Sequence, residues 1–379
     1  MSNIRPKILI TIDWFLPGTK SGGPVRSYKN IIDYLGAYYD FYVITRDTDY
    51  CSDEVYENIT SNAWNKYNDH TSIYYISKDQ LNKGNMKSLI NEHDYDAIMI
   101  NGIYSFYFSI LPVWLSKKKS NVIVSARGML NPQAFSVKGT KKRVYLTIAK
   151  ALGLYKNIKF HATNKEEAGH IKAIFGKRSQ VKIAANLPRK IENFRVEKRV
   201  LNQPLRLVNV ARVSIEKGTL KMIESLQNVK TELVIDIFGP VYDLNYWEKC
   251  QISIRELPKN VTVNYRGFIE SELVIDTIKA YDFFILLSEG ENFGHSILEA
   301  LSVGCPVIIS DKTPWKNLES KGVGWDVDIN DSKKISEVFS EISKVNQDEY
   351  NEMANRAFIF AKNFSEDQEL LNQNKNLFL

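Results

Sequence analysis

The sequence predicts an α/β protein made of two doubly wound halves, each a largely parallel sheet with helices on both faces. Three observations predict it. Apolar strands and helix-patterned segments alternate from residue 7 to residue 184. The alternation breaks at 186–204, NLPRKIENFRVEKRVLNQP, a charged stretch with two prolines and no clear period. It then restarts at 205 and runs to 309. Regular β-α alternation implies parallel strands joined by helical crossovers. A chain of 379 residues also exceeds what one core ordinarily holds. The expected halves are 1–185 and 205–363, with 186–204 as the linker.

Taken in order, 7–12 reads as a strand and 17–23 as a turn-rich loop. Pro24 stands at a helix start, with Tyr28, Ile31, Ile32 and Leu35 at helical spacing. Strands follow at 41–45 and 72–76, while 47–71 is too polar to assign. Then come a helix at 79–91, a strand at 97–101, a helix at 105–116 and a strand at 122–125. An amphipathic helix at 141–154, a strand at 158–162, a helix at 166–175 and a strand at 181–184 complete the first half. In the second half, strands are expected at 205–210, 233–238, 261–265, 283–287 and 307–309. Helices fall between them at 219–226, 246–255 and 270–280, and beyond 328 the pattern is helical only. No short-period repeat is visible.

Composition is that of a globular protein, 44% hydrophobic and 25% charged. The apolar stretch 104–115 is too short to span a bilayer, and no secretory signal precedes the first strand. A cytoplasmic protein is expected, peripheral at the inner face of the membrane at most. Cys51, Cys250 and Cys305 show neither pairing nor metal spacing and read as buried free thiols. The net charge of +6 is unevenly placed. No Asp or Glu occurs between Asp96 and Glu166, a stretch that carries Lys117 to Lys119, Arg127, Lys138, Lys141, Lys142, Arg143, Lys150, Lys156, Lys159 and Lys165. A solvated basic face, a phosphate-bearing substrate or an anionic membrane surface would each account for it. No nucleic-acid-binding signature accompanies the charge, so nucleic acid is not an expected partner.

The chemistry concentrates in 288–306, SEGENFGHSILEALSVGCP. A strand end, a glycine-bearing loop and a helix N-terminus form an anion cradle, because orphan amides and about half a positive charge meet there. Glu291 and Glu299 bracket that corner. Their spacing alone carries no information, since Glu216/Glu224 and Glu341/Glu349 share it. The intervening Phe293-Gly294 and the flanking strands set this pair apart, and His295 stands at the helix start. Arg212 and Lys217-Gly218, in NVARVSIEKG, follow the half's first strand, where open α/β sheets bind ligands. Arg can grip a diphosphate bidentately and Lys acts as a point charge. Gly239 stands at another strand end, as close backbone approach beside a flat base requires. In the first half, SGGPVR supplies Gly22, Gly23 and Arg26 before a helix, and SARGML places Arg127 and Gly128 after a strand.

These motifs resemble the retaining family-4 glycosyltransferases, which have the GT-B fold. The acidic motif of that family is Glu, seven residues, Glu, with Phe-Gly inside and Gly-x-Pro-Val after it. Glu291, Phe293-Gly294, Glu299 and Gly304 to Val307 follow it, and Arg212, Lys217 and Gly218 follow the family's Arg-x4-Lys-Gly clamp. The resemblance implies two Rossmann-like domains facing each other across a cleft, with a last helix at about 364–379 returning to the first. It further implies transfer of a hexose from a UDP- or GDP-sugar to a hydroxyl of a glycan, lipid-linked, in bacterial O-antigen, capsule or exopolysaccharide synthesis.

Glu299 would hold the ribose, Glu291 a sugar hydroxyl and the anomeric charge, and Arg212 and Lys217 the diphosphate. Phe268 would contact the base, and Gly22 and Gly23 would approach the donor. Arg127, Arg26 and Asn101, the last standing where many relatives have a histidine, would meet the acceptor. Ala126 departs from the family's proline before Arg-Gly. The motifs Asp47-x-Asp49, Asp94-x-Asp96 and Asp326-x-Asp328 read as loop or helix-end acids, so no cofactor and no metal are expected. A GT-B epimerase or a non-catalytic sugar-nucleotide-binding subunit would share these folds.

Overall fold

The computed structural model describes residues 5–135, 139–190 and 200–379. Lys138 and much of the expected linker, 191–199, lie outside the described residues. The chain forms two units, Met1–Lys190 with Asp367–Leu379, and Ile191–Glu366.

The first unit contains β1 (Lys7–Thr11), β2 (Asp40–Arg46), β3 (Trp64–Asn68), β4 (Thr71–Ile76), β5 (Ala97–Asn101), β6 (Val122–Ser125), β7 (Lys159–Ala162) and β8 (Gln180–Ile183). They form one sheet in the order β3-β4-β2-β1-β5-β6-β7-β8. Every pair is parallel except β3–β4. The central strands β1, β5 and β6 are apolar along most of their length and almost wholly buried, as a sheet covered on both faces requires. From β1 the chain winds outward to β2 and β4, then returns to β5 and winds the other way. The topological switch point therefore lies between β1 and β5.

The second unit contains β9 (Leu205–Val210), β10 (Leu233–Phe238), β11 (Val261–Gly267), β12 (Phe283–Leu286), β13 (Val307–Ser310) and β14 (Gly324–Val327). Its sheet is wholly parallel, in the order β11-β10-β9-β12-β13-β14, with the switch point between β9 and β12. There the buried Asn209 donates its side-chain amide to the Ile285 carbonyl at 2.7 Å, joining the two strands that define the switch.

Four local expectations are corrected. β3 lies in the stretch too polar to assign. It is an edge strand whose one large apolar anchor, Trp64, rests edge-on against Tyr42 and Tyr74. β14 is a second unforeseen edge strand, and its inward residues Trp325 and Val327 are buried while Asp326 accepts from the Asn317 and Leu318 amides. The expected helix at 105–116 opens as a π-helical turn, Phe106–Ile110, before the α-helix Leu111–Leu115. Pro112 has no N–H for the Phe108 carbonyl four residues back, and the Thr11 hydroxyl donates to that carbonyl instead, at 2.8 Å. Cys250 and Cys305 are buried, but Cys51 is exposed, on a turn with φ 55°.

The long helix Gln347–Ser365 opens on an Asn346/Glu349 capping box and belongs to the second unit. The following helix, Gln368–Lys375, belongs to the first. There Asn374 donates to the Ala185 carbonyl at 2.9 Å, and Phe378 meets the rings of Tyr39 and Phe41.

Candidate functional site

In the second unit, two loops leave the sheet at its switch point. The loop after β9 carries Arg212, Lys217 and Gly218; the loop after β12 carries Glu289, Glu291, Phe293 and Gly294. Gly218 adopts φ 65°, and a Cβ there would lie 1.8 Å from the Leu287 carbonyl oxygen. Only glycine lets the first loop lie against the backbone of the second. The Glu289 amide then donates to the Glu216 carbonyl at 2.9 Å, and Lys221 pairs with Glu289 at 2.6 Å. The same docking brings Lys217 Nζ to 2.5 Å from Glu291 Oε1, with the carboxylate side chain only 9% exposed. A cation and an acid separated by 74 residues thus form one pair.

Glu216 shares this loop. Burial acts to raise its carboxyl, but its own backbone amide and the Arg212 and Lys217 charges outweigh that, and its pKa falls below the ordinary value.

Gly294, at φ 78°, caps the helix His295–Ser302. The Ile297 and Leu298 amides of its first turn donate to the Gly294 carbonyl. Glu299, one turn in, is 6% exposed. Phe293 has a buried ring that meets His295, Trp315 and Phe364, and its carbonyl accepts from Trp315 Nε1 at 2.5 Å. Its side chain therefore secures the loop rather than lining an open surface. Gly239, φ 145°, would place a Cβ 1.9 Å from the Ala211 carbonyl oxygen, so β9 already demands glycine there. Phe268 follows β11 and is 40% exposed.

The remaining candidates lie in the first unit. Gly22 and Gly23 begin the helix Gly23–Leu35, which carries Arg26. Asn101 ends β5, and its side-chain oxygen is buried without a hydrogen-bond partner among the described residues. Arg127, φ 52°, donates to Asn186 at 2.6 Å and stacks over Tyr28 at 4.5 Å. Its Nε and Nη2 are buried and without a partner among the described residues.

Two carboxylates escaped the sequence reading. Glu167 takes the Gly128 amide at 2.6 Å and both the Thr163 amide and hydroxyl at 2.7 Å, so it holds the Arg127-Gly128 turn. Asn164 three residues before it was the available signal, a helix-start pattern. Asp13, just past β1, accepts from Ser105 at 2.7 Å across the switch point, with Arg46 at 3.7 Å. Burial holds its pKa above the ordinary value, against the pull of Ser105 and Arg46.

His161 is structural. Its Nε2–H donates to the Ala184 carbonyl and its Nδ1 accepts from Ser125, both at 2.8 Å. Burial, then the Arg127 charge, lower its pKa to about 4. Where bonds are seen, the aspartates of the three Asp-x-Asp pairs accept from groups of the protein itself. Asp49 accepts from the Thr19 and Lys20 amides, Asp47 from Ser61, Asp96 from the Lys7 amide, and Asp328 from the Asn330 amide.

Two doubly wound parallel α/β units are the build of the GT-B fold, and the second bears cations and carboxylates at its switch point. Residues 190–359 match the family model of the glycosyl transferases group 1, and this part of the chain is a domain of that kind. No curated protein matches the sequence. Among solved structures, sucrose-phosphate synthase from Thermosynechococcus elongatus is similar, with a TM-score of 0.71 at 16% identity over 99% of this chain and 98% of that one. Anabaena HepE in complex with UDP and glucose aligns with a TM-score of 0.70 at 16% identity, over 98% of each chain. WaaG, a glycosyltransferase involved in lipopolysaccharide biosynthesis, aligns with a TM-score of 0.64 at 14% identity, over 98% of each chain. At these identities the likeness concerns the fold.

Proposed function

We propose that the protein is a retaining hexosyltransferase of the family-4 type. It would move a sugar from a UDP- or GDP-sugar to a hydroxyl of a glycan, lipid-linked, in bacterial surface-polysaccharide synthesis. One observation carries the reading. The loops after β9 and β12 of the group 1 domain are locked together through Gly218, and the lock pairs Lys217 with Glu291 just ahead of the helix His295–Ser302. The UDP and glucose held by HepE support a uridine nucleotide donor.

In this reading Arg212, Lys217 and the first amides of the helix His295–Ser302 take the diphosphate and stabilise its departure without a metal ion. Lys217 and Glu291 neutralise each other in the structure, which spares each the cost of lone burial. An arriving diphosphate would draw Lys217 away and free Glu291 for a sugar hydroxyl and for the positive charge growing at the anomeric carbon. Glu299 would accept from the two ribose hydroxyls. The acceptor would lie on the first unit, against Asn101, Arg127 and Arg26.

Calorimetric titration of UDP and GDP into the wild type and Glu299→Ala tests the donor half of this reading. The variant should stay folded and lose at least tenfold in affinity, about 1.4 kcal/mol. Wild type that binds neither nucleotide would overturn it. An epimerase would release nucleotide without a glycosylated acceptor, and a non-catalytic subunit would turn nothing over.

A further inference from the structure

The Asp47-x-Asp49 pair stands in the stretch too polar to assign, and the proposed reaction leaves it without a role. In the structure that stretch grips a neighbouring loop. After β2 the chain turns back on itself: Thr48 and Val55 form an antiparallel bridge, and the Tyr56 amide donates to the Asp47 carbonyl at 2.9 Å. Asp47 is buried and takes the Ser61 hydroxyl, which seats the turn. Asp49 faces the loop that leaves β1. One of its oxygens accepts from the Thr19 and Lys20 amides at 3.1 and 3.3 Å, and the other takes the Tyr50 amide at 2.7 Å. Tyr56 donates to the Phe15 carbonyl at 3.2 Å, and Tyr75 to that of Leu16 at 2.7 Å. A Cβ on Gly18 would lie 2.1 Å from the Tyr56 hydroxyl oxygen and 2.7 Å from Asp49 Cγ, so the two segments meet closely there.

The loop has two unlike halves. Residues 15–20 are held by the turn at 47–56 and by Tyr75, whereas a Cβ on Gly22 or Gly23 would meet nothing within 4 Å. Gly22 keeps φ 83°, a main-chain shape that costs conformational freedom to fix. A loop anchored at its base and bare at its tip, at the strand ends beside the switch point, presents its main chain to a ligand. We propose that Asp49 is a positioning residue, which presets the Gly22-Gly23 main chain for substrate. This rests on the transferase reading above. Asp49 touches no substrate; it acts through the Thr19 and Lys20 amides, and bonds from N–H groups to a carboxylate are stronger than neutral ones. The loop is then ordered before substrate arrives, and the binding step does not bear that cost.

The test joins two measurements on Asp49→Ala and Asp49→Asn in the full chain. Hydrogen exchange of the segment 17–23 reads the anchor without reference to the reaction. Release of UDP or GDP from a panel of sugar nucleotides, with UDP affinity beside it, reads its use. In the alanine variant the Thr19 and Lys20 amides should exchange at least about tenfold faster. Nucleotide release should slow at least about tenfold, since a displacement of about 1 Å is enough to cost that. UDP affinity should stay within about twofold, because Arg212 and Lys217 belong to the other unit. Asparagine still offers an oxygen to the two amides and should bring both readouts to within about threefold of wild type. Asp49 is half-buried, so the fold should survive; an unchanged thermal melt checks it. Three results overturn the proposal: an alanine variant with wild-type exchange, one that loosens the loop yet turns over as wild type does, or an asparagine variant as impaired as the alanine one. The second would make Asp49 a purely structural residue. A wild type that releases nucleotide from no member of the panel would sink the transferase reading and the role in turnover with it, while the exchange data would still decide whether Asp49 anchors the loop.

Discussion

The two units each have a doubly wound sheet, and each brings a carboxylate and a cation to its switch point, by different means. In the second unit the main chain sets the geometry. Gly218 presses on the Leu287 carbonyl and Gly239 on that of Ala211, and the Lys217–Glu291 pair follows from that backbone contact. In the first unit side chains set it. Ser105 reaches Asp13 across the switch, Asn186 and Tyr28 hold Arg127, and a Cβ on Gly22 or Gly23 would meet nothing within 4 Å. A backbone-locked corner suits an invariant charged group such as a diphosphate. A corner built from side chains can be re-cut for a different ligand at little cost to the fold.

The sharpest way to break that contrast is to uncouple the locked pair. Lys217→Ala leaves the nearly buried Glu291 carboxylate without its cation and, in the proposed reaction, removes a charge from beside the leaving diphosphate. Turnover should fall roughly 10²- to 10³-fold. Glu291→Ala should lower turnover more than nucleotide affinity, since Lys217 stays available for phosphate. Steady-state kinetics beside nucleotide titration separates the two, and equal losses in both quantities would remove Glu291 from the reaction.

The lock itself can be forced. Gly218→Ala drives a Cβ into a main-chain carbonyl, which has no rotamer by which to yield, from a left-handed residue. A loss of about 3 kcal/mol or more in urea unfolding of the second unit is expected. An alanine variant as stable as wild type would mean that the two loops are not tied through this residue.

A pH experiment examines the first unit. His161 is neutral, with its pKa lowered to about 4 by burial and then by the Arg127 charge. An unfolded chain takes up that proton below about pH 6.5, whereas the folded one refuses it down to about 4. Stability should therefore be full above pH 6.5, fall as pH drops through that window, and level off beneath it. The loss is bounded at about 3 kcal/mol. His161→Gln can still bond Ser125 and Ala184 but cannot titrate. Its urea midpoint should change less than that of wild type between pH 7 and pH 5, and parallel curves would refute the assignment.

The contrast also explains what could be read without coordinates. The second unit's corner is short-range: Arg212 to Gly218 and Glu291 to Glu299 are each nearly contiguous, so glycine, acid and strand end appear together in the sequence. Their meeting was not visible, because it depends on the fit of Gly218 against the Leu287 carbonyl, 69 residues later and just past β12. The first unit's corner draws on partners far apart, such as Asn186 for Arg127, 59 residues on, and nothing local announces them. The edge strands β3 and β14 escaped because one buried face supports too few apolar residues to mark a period. Pro112 was in plain view, but the Phe108 carbonyl it leaves open is met by the Thr11 hydroxyl, 97 residues before Phe108.

The smallest expected effect is the one that most directly measures the difference between the units. Gly23 opens the helix Gly23–Leu35 with ordinary backbone angles and open space around its Cβ position. Gly23→Ala should then change unfolding stability by no more than about 0.5 kcal/mol, and in the stabilising direction, because the unfolded chain loses freedom that the folded chain never used. The folded first unit has no internal need for that glycine. A marked fall in turnover at unchanged stability would therefore report a ligand passing close to the backbone at Gly23. Unchanged turnover would show the residue to be a plain turn, and would leave Gly22, held at φ 83°, as the only glycine of the pair that the conformation requires.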